Sequence, residues 1–464
     1  MTQVIYADRI ITMDPERRIF RDGAIALDEG RILEVGKSSD IRRKFNPSEK
    51  IDARSKIVMP GLIDAHLHQN QMLARGLADE VDLLTWIHKR VWPYEAVMTD
   101  SDSYVSSLLC SMEAIKTGTT CFADPGGYRM ENVARAVDET GIRGIIAWAS
   151  MDVDDPQRPI PEVLRTTTDE AVRKNEELLR NCQNSAKGRL RVWCGLRVEP
   201  NVSPELIVRI NELALKNKVG VEMHNAVTRE QMEWVKNKTG KTTVDYLDSL
   251  GVLGPHWLLI HMGWITDQEV QVLKRREVNV AHVPGASMKA AYGAISFGKF
   301  PELIASGVNV CLGCDSSAAN NSLDMFRAMY LAAMVHKEAR YDPHLIPAEE
   351  ALEMATIRGA KALRWEDIGS LEPGKKADLI VINPKRSNWI PNHDFSLVPN
   401  IAYSADGNDV ETVMVDGRIV MENRRMTTID EEKTLESAQK AAEQILDRLK
   451  SQFGLELKPQ WKFV

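Results

Sequence analysis

Apolar residues are spaced in two different patterns along the chain. In the first 60 residues, and again after residue 366, short apolar runs alternate with polar positions, as in VIYADRIITMD and ETVMVDGRIVMENRR. The pairs Glu29-Gly30 and Asp416-Gly417 separate such runs and are typical of tight hairpin turns. Between them, apolar runs alternate with longer stretches of helical spacing. The pattern predicts strands at both ends of the chain and alternating strands and helices in the middle.

The middle region carries eight apolar runs that are typical of buried strands. They are GLIDAHLH, TTCFAD, GIIAWAS, LRVWCGLRV, VGVEMH, WLLIHMG, VNVAHVP and VNVCLGCD. The segments between them include ENVARAVDETG, SPELIVRINELALKN and FPELIASG, whose spacing is helical. Eight strands alternating with helices predict an α/β fold of the (β/α)8 TIM-like barrel type.

These spacing patterns divide the chain into three regions. Residues 1–60 and 366–425 are expected to form one small β-sandwich domain built from both chain ends, and residues 61–365 the (β/α)8 barrel. Residues 426–464 are expected to form a helical C-terminal extension. Its stretch TLESAQKAAEQILDRLK predicts an amphipathic helix. The predicted apolar face of that helix consists of Leu435, Ala438, Ala442, Ile445 and Leu449.

Composition excludes several classes of partner. The 464 residues are 44% apolar and carry 59 Lys and Arg against 66 Asp and Glu, a net charge of -7 without a basic block. Nucleic acid and membrane surfaces are therefore not expected partners, and no run approaches the roughly 18 apolar residues of a membrane span. The six cysteines are too dilute for a disulfide scaffold, which favours a cytoplasmic protein. Cys311 and Cys314 are expected on opposite faces of a strand, not at a shared metal.

The strongest chemical signal is His66-Leu67-His68 at the end of the first predicted barrel strand. Alternation along a strand aims both imidazoles the same way, although the pair alone also fits two surface histidines. Three later barrel runs each end in another metal-competent residue: His224, His261 and Asp315. Because the active face of a barrel is built from strand C-termini, these side chains are expected to converge.

Three histidines and one aspartate form a donor set that suits one divalent metal per chain, zinc first and ferrous iron as the alternative. A metal with an open position turns a water into a nucleophile at neutral pH. Asp315 is expected to serve both as ligand and as catalytic proton acceptor. His261 is expected to orient the hydroxide or to complete the coordination.

These motifs resemble the amidohydrolase superfamily. The similarity lies in GLIDAHLH, the two later strand-end histidines, LGCDSSAANNSLDMF, EEALEMATIRGAKAL and SLEPGKKADLIVIN, and it covers nearly the whole chain. The chain is most similar to the mononuclear-metal branch of nucleobase and S-adenosylhomocysteine deaminases, guanine deaminase and triazine hydrolases. Within that branch, HLHQNQMLARG and LTWIHKRVWPYEAVM resemble atrazine chlorohydrolase and melamine deaminase.

The resemblance implies roles for particular residues. It makes His66, His68, His224 and Asp315 the metal ligands, with His261 beside the metal. It also implies that three residues line the substrate pocket: Asn70, Gln71 and Trp86.

One departure from the branch stands out at Val227. The central motif usually reads His-x-x-Glu, in which the Glu moves a proton to the ring or the leaving group, but valine cannot transfer a proton. Glu222 and Glu199 are the two possible proton donors. Glu222 also fits a carboxylate paired deep in the barrel. Glu199, with Arg197, also fits a solvated ion pair at a strand end.

Arg197 adds information about the substrate if it points inward. Its planar guanidinium suits a carbonyl or carboxylate, which favours a more polar ring than a bare chlorotriazine. Arg197 and Glu199 are therefore expected substrate-binding residues. A second departure, Trp264 in HMGWIT, is expected to reshape the pocket wall. His88 and His282 are expected to pack, and Asn320, Asn321 and Asp324 to cap the next helix and hold the Asp315 loop.

The sequence thus predicts a hydrolase that displaces an amino or substituted-amino group from a purine, pterin, pyrimidine or triazine. Three alternatives stay open: hydrolytic dehalogenation of a triazine-like ring, hydrolysis of a cyclic amide, and a catalytically weakened metal-binding homologue. The expected partner is a small heterocyclic substrate. The resemblance also implies a homo-oligomer.

Overall fold

The computed structural model describes residues 2–154, 159–459 and 461–462. Seventeen strands are found in these residues, and they form two separate sheets. The strands are β1 Gln3–Ile11, β2 Ile19–Asp28, β3 Arg31–Lys37, β4 Glu49–Pro60, β5 Leu62–Asp64, β6 Thr119–Gly127, β7 Arg143–Ser150, β8 Leu190–Val192, β9 Cys194–Leu196, β10 Val221–Asn225, β11 Trp257–His261, β12 Asn279–His282, β13 Val310–Leu312, β14 Leu379–Ile382, β15 Val410–Val415, β16 Arg418–Glu422 and β17 Arg425–Met426.

Twenty α-helices are found in the described residues, most of them between the barrel strands. They are α1 Ser38–Lys44, α2 Leu83–Trp86, α3 Trp92–Val97, α4 Asp100–Lys116, α5 Met130–Thr140, α6 Thr168–Cys182, α7 Ser185–Gly188, α8 Pro204–Asn217, α9 Arg229–Thr239, α10 Thr243–Ser249, α11 Asp267–Arg276, α12 Pro284–Lys289, α13 Ala294–Phe297, α14 Phe300–Ser306, α15 Ser317–Asn320, α16 Met325–Arg340, α17 Ala348–Met354, α18 Ile357–Ala362, α19 Leu397–Tyr403 and α20 Glu431–Phe453. None of the helices described is long and apolar enough to cross a membrane.

The barrel is built from β5 to β13, which pair in parallel in chain order. All eight predicted runs form its strands, and the fourth run is split at Trp193 into β8 and β9, which both pair with β7. The first and last strands meet where the Ala65 amide donates to the Leu312 carbonyl at 2.9 Å. The predicted (β/α)8 TIM-like barrel is therefore confirmed.

The second sheet combines both ends of the chain in the order β17-β16-β15-β14-β4-β1-β2-β3. Its edge strand β3 turns back onto the segment before β14, where the Ile32 amide donates to the Lys375 carbonyl at 2.9 Å. The predicted domain from both chain ends is thus one continuous sheet that curls back on itself. One face of the sheet buries its own apolar cluster, including Ile5, Ile25, Val58 and Leu379.

The two predicted hairpin turns touch each other in this sheet. Gly30 and Gly417 both have a φ of 74°, which only glycine adopts without strain. A Cβ on Gly417 would collide with the backbone of Gly30. The two turns therefore need glycine for backbone conformation and for close approach.

The C-terminal helix α20 forms as predicted, but part of its predicted buried face is wrong. Ala438, Ile445 and Leu449 are buried, whereas Leu435 is 52% exposed and Thr434 is buried beside them. The buried face of the helix is therefore shifted by about one residue relative to the face that carries the most apolar residues. The predicted domain boundaries stay predictions, and residues 1, 155–158, 460, 463 and 464 of those ranges lie outside the described residues.

A buried ion pair joins the barrel to the curled sheet. Arg143 opens β7 and donates to both carboxylate oxygens of Asp378 from Nε and Nη2, at 2.7 and 3.0 Å. The Arg143 guanidinium also lies over the Trp365 ring, 4.9 Å from its centre. Since β7 starts here, the pair lies at the N-terminal face of the barrel, the face associated with stability.

Removing one partner of this pair would leave an uncompensated buried charge. We expect Asp378→Ala to lower the free energy of unfolding by about 3–5 kcal/mol, measured by urea denaturation. Glu177→Ala is the matched control, because its pair with Arg173 lies on the surface of α6 and contributes little. A loss no larger than that of the control would contradict the role of Arg143 and Asp378.

Candidate active site

Five chemically competent side chains meet at the C-terminal face of the barrel. His66 and His68 follow β5, His224 lies in β10, His261 ends β11, and Asp315 follows β13. Four of them are buried and His224 is half-buried, and their donor atoms fall into two groups in which the atoms lie within 4.8 Å of one another. The convergence expected from the strand ends is found in the structure.

The donor atoms are spaced as a tetrahedral metal site requires. The Nε2 atoms of His66, His68 and His261 lie 3.7, 3.8 and 3.9 Å from the nearer Asp315 oxygen. The Nε2 atoms of His68 and His224 are 3.3 Å apart. Ligands about 2.0–2.1 Å from a tetrahedral zinc lie about 3.4 Å from one another. This cluster therefore fits a single ion after small adjustments.

Protonation also suits a metal. Burial lowers the pKa of His261 to about 4 and the pKa values of His68 and His224 well below the usual range, so these imidazoles are neutral at pH 7. Burial raises the pKa of Asp315, but its contacts with His66 and the other neighbouring imidazoles outweigh burial and hold that pKa low. His66 Nε2 has no hydrogen-bond partner among the described residues. Neutral imidazoles with a carboxylate are the donors that zinc and ferrous iron take.

Backbone strain collects around this cluster. Asp315, His261, Met262 and Ala226 have φ values of 64°, 77°, 49° and 49°, in the left-handed region that residues with a side chain rarely adopt. Such residues cost about 1–3 kcal/mol each and persist where the surroundings fix them. The Asp315 amide, for example, donates to the His66 carbonyl at 2.7 Å. The barrel therefore holds the ligand loops in strained positions.

Two buried aspartates support the histidine segment from behind. Asp64 accepts from the amides of His66 at 3.2 Å and Cys314 at 3.0 Å. Asp124 accepts from the Gln69 amide at 2.9 Å and lies 3.8 Å from His68 Nδ1. Burial raises the pKa of each to about 6. Neither aspartate was predicted from the sequence, although Asp124 ends the predicted strand TTCFAD and Asp64 lies two residues before His66.

The cluster opens into a cavity of about 340 Å³. Of the predicted substrate residues, Gln71, Trp86 and Arg197 lie in its wall. The wall also contains His68, His224, His261 and Asp315, several apolar side chains on α2, Val227, Gln231 and Trp234 on the β10–α9 side, and Tyr292. A planar ring bound here would lie against the candidate metal cluster.

Glu95 organises one side of this wall. Gln71 Nε2 donates to Glu95 Oε1 at 2.9 Å, and Arg197 Nη2 donates to Glu95 Oε2 at 2.6 Å. All three side chains are at most 5% exposed. The alternative of a solvated pair between Arg197 and Glu199 is therefore wrong, because Arg197 is buried and pairs with Glu95. We call Gln71 and Arg197, together with Glu95 behind them, the polar wall.

Three other predicted residues lie outside the cavity wall. Asn70 uses both ends of its amide in the fold: Nδ2 donates to the Tyr128 carbonyl at 2.6 Å, and Oδ1 accepts from Ser103 Oγ at 2.7 Å. Glu199 accepts hydrogen bonds from the Asn225 and Gln231 amides. Neither residue presents its side chain to the cavity.

Glu222 is the third of these residues and lies deeper in the barrel. It is fully buried, and neither carboxylate oxygen has a hydrogen-bond partner in the part of the chain described. Burial raises the pKa of Glu222 well above its usual range, and burial raises that of Glu199 to about 7. Glu222 is thus not the paired carboxylate of the alternative interpretation, and neither candidate proton donor reaches the cavity.

Other predicted residues have mixed outcomes. His88, expected to pack, does lie against Trp92 but also lines the cavity. His282 packs on Phe300 with ring centres 3.7 Å apart, as expected. Trp264 lies outside this cavity and donates to the Tyr292 carbonyl at 2.7 Å.

The residues after Asp315 behave as capping residues. Asp324 Oδ1 accepts from the Phe326 amide at 2.9 Å and begins α16, as predicted. Asn320 Nδ2 donates to the Ser322 carbonyl at 2.8 Å. Asn321 Oδ1 accepts from Lys289 Nζ at 2.5 Å. These contacts hold the loop between Asp315 and α16.

Comparisons with known proteins agree with this geometry. The model of the Amidohydrolase family matches residues 57–420. A 5'-deoxyadenosine deaminase of Methanosarcina mazei is 36% identical over 442 residues, 95% of this chain and 98% of the relative. A 5-methylthioadenosine/S-adenosylhomocysteine deaminase of Pelotomaculum thermopropionicum is 35% identical over 96% of this chain and 99% of its own.

A solved structure also has the same fold. The crystal structure of an adenosine deaminase from Xanthomonas campestris with bound zinc superposes with a TM-score of 0.89 and 26% identity, covering 96% of this chain and 98% of that one. The resemblance on which the sequence analysis relied is thereby confirmed. The chain belongs to the amidohydrolase family and is a hydrolase that acts on carbon–nitrogen bonds.

Proposed function

We propose that this enzyme hydrolytically removes an amino group from a nitrogen heteroaromatic ring that also carries a ring carbonyl. The observation that carries the proposal is the polar wall beside the candidate metal cluster. The amino group as leaving group is supported by the deaminases to which the chain is similar. The ring carbonyl is supported by the unpartnered hydrogen-bonding atoms of the polar wall.

The orientation of Gln71 follows from Glu95. A carboxylate only accepts hydrogen bonds, so Gln71 must turn Nε2 towards Glu95 and leave Oε1 as a free acceptor. Neither Gln71 Oε1 nor Arg197 Nε has a partner in the described parts of the chain. An acceptor beside a cationic donor is complementary to an adjacent N–H and C=O, the edge of a cyclic amide. An adenine ring has no such edge.

Four residues would hold the metal: His66, His68, His224 and Asp315. Zinc is our proposal for its identity, supported by the zinc in the related adenosine deaminase structure and by the donor set. When bound, the metal supplies a nucleophile at neutral pH by lowering the pKa of water. Cytoplasmic location and a homo-oligomer stay predictions.

Asp315 and His261 would manage the protons. Asp315 is ionised at neutral pH, so one of its carboxylate oxygens would accept the proton released by the attacking water. Passing that proton to the departing amine lets ammonia leave as a neutral molecule. His261 Nε2, 3.9 Å from Asp315 Oδ2, is close enough to orient the same water. The ring itself would lie between Trp86 and Tyr292, whose side chains line the cavity.

Hydrolytic dehalogenation is the second candidate, and Val227 favours it. Val227 lies in the cavity wall and is 3% exposed, at the position where the family usually carries an acid. Chloride leaves without a proton, so a halogenated ring needs less acid assistance than an amino ring. Both reactions would use the same candidate ligands and the same cavity.

Product masses separate these candidates. We expect zinc-loaded protein, given a panel of aminopurines, pterins, aminopyrimidines and amino- or chlorotriazines, to exchange an amino for a hydroxyl group and release ammonia. Chelator treatment should abolish the exchange, and added zinc should restore it. A chloro-to-hydroxyl exchange would assign the dehalogenase instead. No exchange on any ring would favour a cyclic amide substrate or a catalytically weakened homologue.

The polar wall predicts which substrates are turned over more slowly when its residues are replaced. We expect the double variant Arg197→Met/Glu95→Gln to lose about 10- to 100-fold in kcat/KM on amino rings with a carbonyl, because a hydrogen bond to a charged group is lost. The double change avoids an unpaired buried carboxylate. Rings without a carbonyl, such as 2-aminopurine, should change little. Equal losses on both kinds of ring would contradict carbonyl recognition.

Glu222 provides a test of the proton donor suggested by the sequence. Since Glu222 lies outside the cavity, Glu222→Gln should keep nearly all of the wild-type kcat/KM on the best panel substrate. Loss of a proton donor typically costs about 10²- to 10⁴-fold. Steady-state kinetics measures the change in kcat/KM, and a melting curve checks that the variant is folded. A loss in that range in a folded protein would make Glu222 the proton donor.

A further inference from the structure

Gln231 lies in the cavity wall next to the position of the missing acid. It is the third residue of α9 and is 8% exposed. Its Oε1 accepts from the Val227 amide at 3.0 Å. This hydrogen bond fixes the end of the Gln231 side chain next to Val227, the residue that replaces the usual glutamate.

The other end of the Gln231 amide is fixed by Glu199. Nε2 of Gln231 donates one N–H to Glu199 Oε2, while Asn225 Nδ2 donates to Glu199 Oε1. A primary amide nitrogen carries two N–H groups. No second acceptor for Gln231 Nε2 is found among the described residues, so one N–H is available at the cavity wall.

Glu199 fixes the orientation of this donor. A hydrogen bond to a carboxylate is stronger than one between neutral groups, so the Gln231 amide is held firmly in place. The pKa of Glu199, raised by burial to about 7, leaves a substantial ionised fraction at neutral pH. The Asn225 contact ties the network to the loop directly after His224, next to the candidate metal cluster.

No other side chain in the described wall offers an acid near Val227. Asp315 belongs to the candidate metal cluster, and Glu230 and Glu233 on α9 are exposed at the mouth. Glu233 is already paired with Arg229 at 2.7 Å. Of the acid and amide side chains described in this wall, Gln231 is the one that hydrogen-bonds to the Val227 backbone.

We propose that Gln231, held by Glu199, donates a hydrogen bond to the ring nitrogen of the substrate in place of the acid that Val227 does not supply. This inference rests on the proposed function. Addition of water to a ring carbon places negative charge on the adjacent ring nitrogen, and a fixed N–H donor stabilises that charge. Gln231 transfers no proton. Glu199 is a positioning residue, because it acts only by orienting Gln231.

Matched rings that differ only at one nitrogen test the proposal. Guanine and 3-deazaguanine form one pair, and cytosine and 3-deazacytosine form another, since in each the deaza ring carries C–H in place of the acceptor. Binding to zinc-loaded protein is followed by quenching of tryptophan fluorescence, with Trp86 in the wall, and kcat/KM is measured wherever turnover occurs. Zinc content and melting temperature are recorded for every variant.

We expect wild-type protein to prefer the parent ring over the deaza ring by at least about tenfold, the value of one good hydrogen bond. In Gln231→Met this preference should fall to about one, with zinc content unchanged. In Gln231→Met/Val227→Glu, restoring the acid should return the preference. Glu199→Leu should reduce it as Gln231→Met does, whereas the matched buried carboxylate variant Glu222→Gln should leave it unchanged.

The outcomes separate this inference from the proposed function. Deamination of a panel ring without any preference for the ring nitrogen, or an equal preference in wild type and Gln231→Met, overturns the inference alone. A melting temperature lowered in Glu199→Leu with an unchanged preference would make Glu199 purely structural and also overturns it. Absence of both binding and turnover for every ring overturns the proposed function together with the inference.

Discussion

The site depends on one geometric constraint: a closed parallel barrel brings the carboxyl ends of all its strands to one rim. His66, His224, His261 and Asp315 are far apart in the sequence, yet their donor atoms are crowded into a small buried space. Burial keeps the imidazoles of His224 and His261 neutral, and several nitrogens of the cluster find no partner in the residues described. A buried cluster of neutral donors and one carboxylate is stabilised by a bound cation. The fold therefore assembles a site that favours metal binding.

Buried carboxylates organise the cavity around this cluster in two separate ways. Glu95 holds Gln71 and Arg197, and this contact leaves an acceptor and a cationic donor for a substrate. Glu199 holds Gln231 beside Val227. In each case an anion that never reaches the cavity fixes the orientation of a side chain that does. Substrate preference therefore depends on residues one layer behind the wall as much as on the wall.

The fold and the candidate ligands could be predicted from the sequence because they depend on local patterns. Hairpin turns such as Asp416-Gly417, the eight apolar runs and the strand-end histidines are all visible in short windows. The pairing of Arg197 with Glu95 could not be predicted, because Glu95 lies about a hundred residues away in the sequence and only the folded barrel brings the two together. The roles assigned to Asn70 and Leu435 failed for the same reason: a motif gives position along the chain, whereas packing decides which way a side chain turns.

A single metal held at the barrel rim is the central requirement of the proposed reaction. Protein freed of metal should be titrated with zinc while ammonia release from an amino ring substrate is followed at each step. We expect activity to rise in proportion to bound zinc, to reach its maximum at one ion per chain, and to be lost in His68→Ala. Full activity in metal-free protein, or a maximum that requires two ions per chain, would contradict the assignment of this cluster as a mononuclear hydrolytic site.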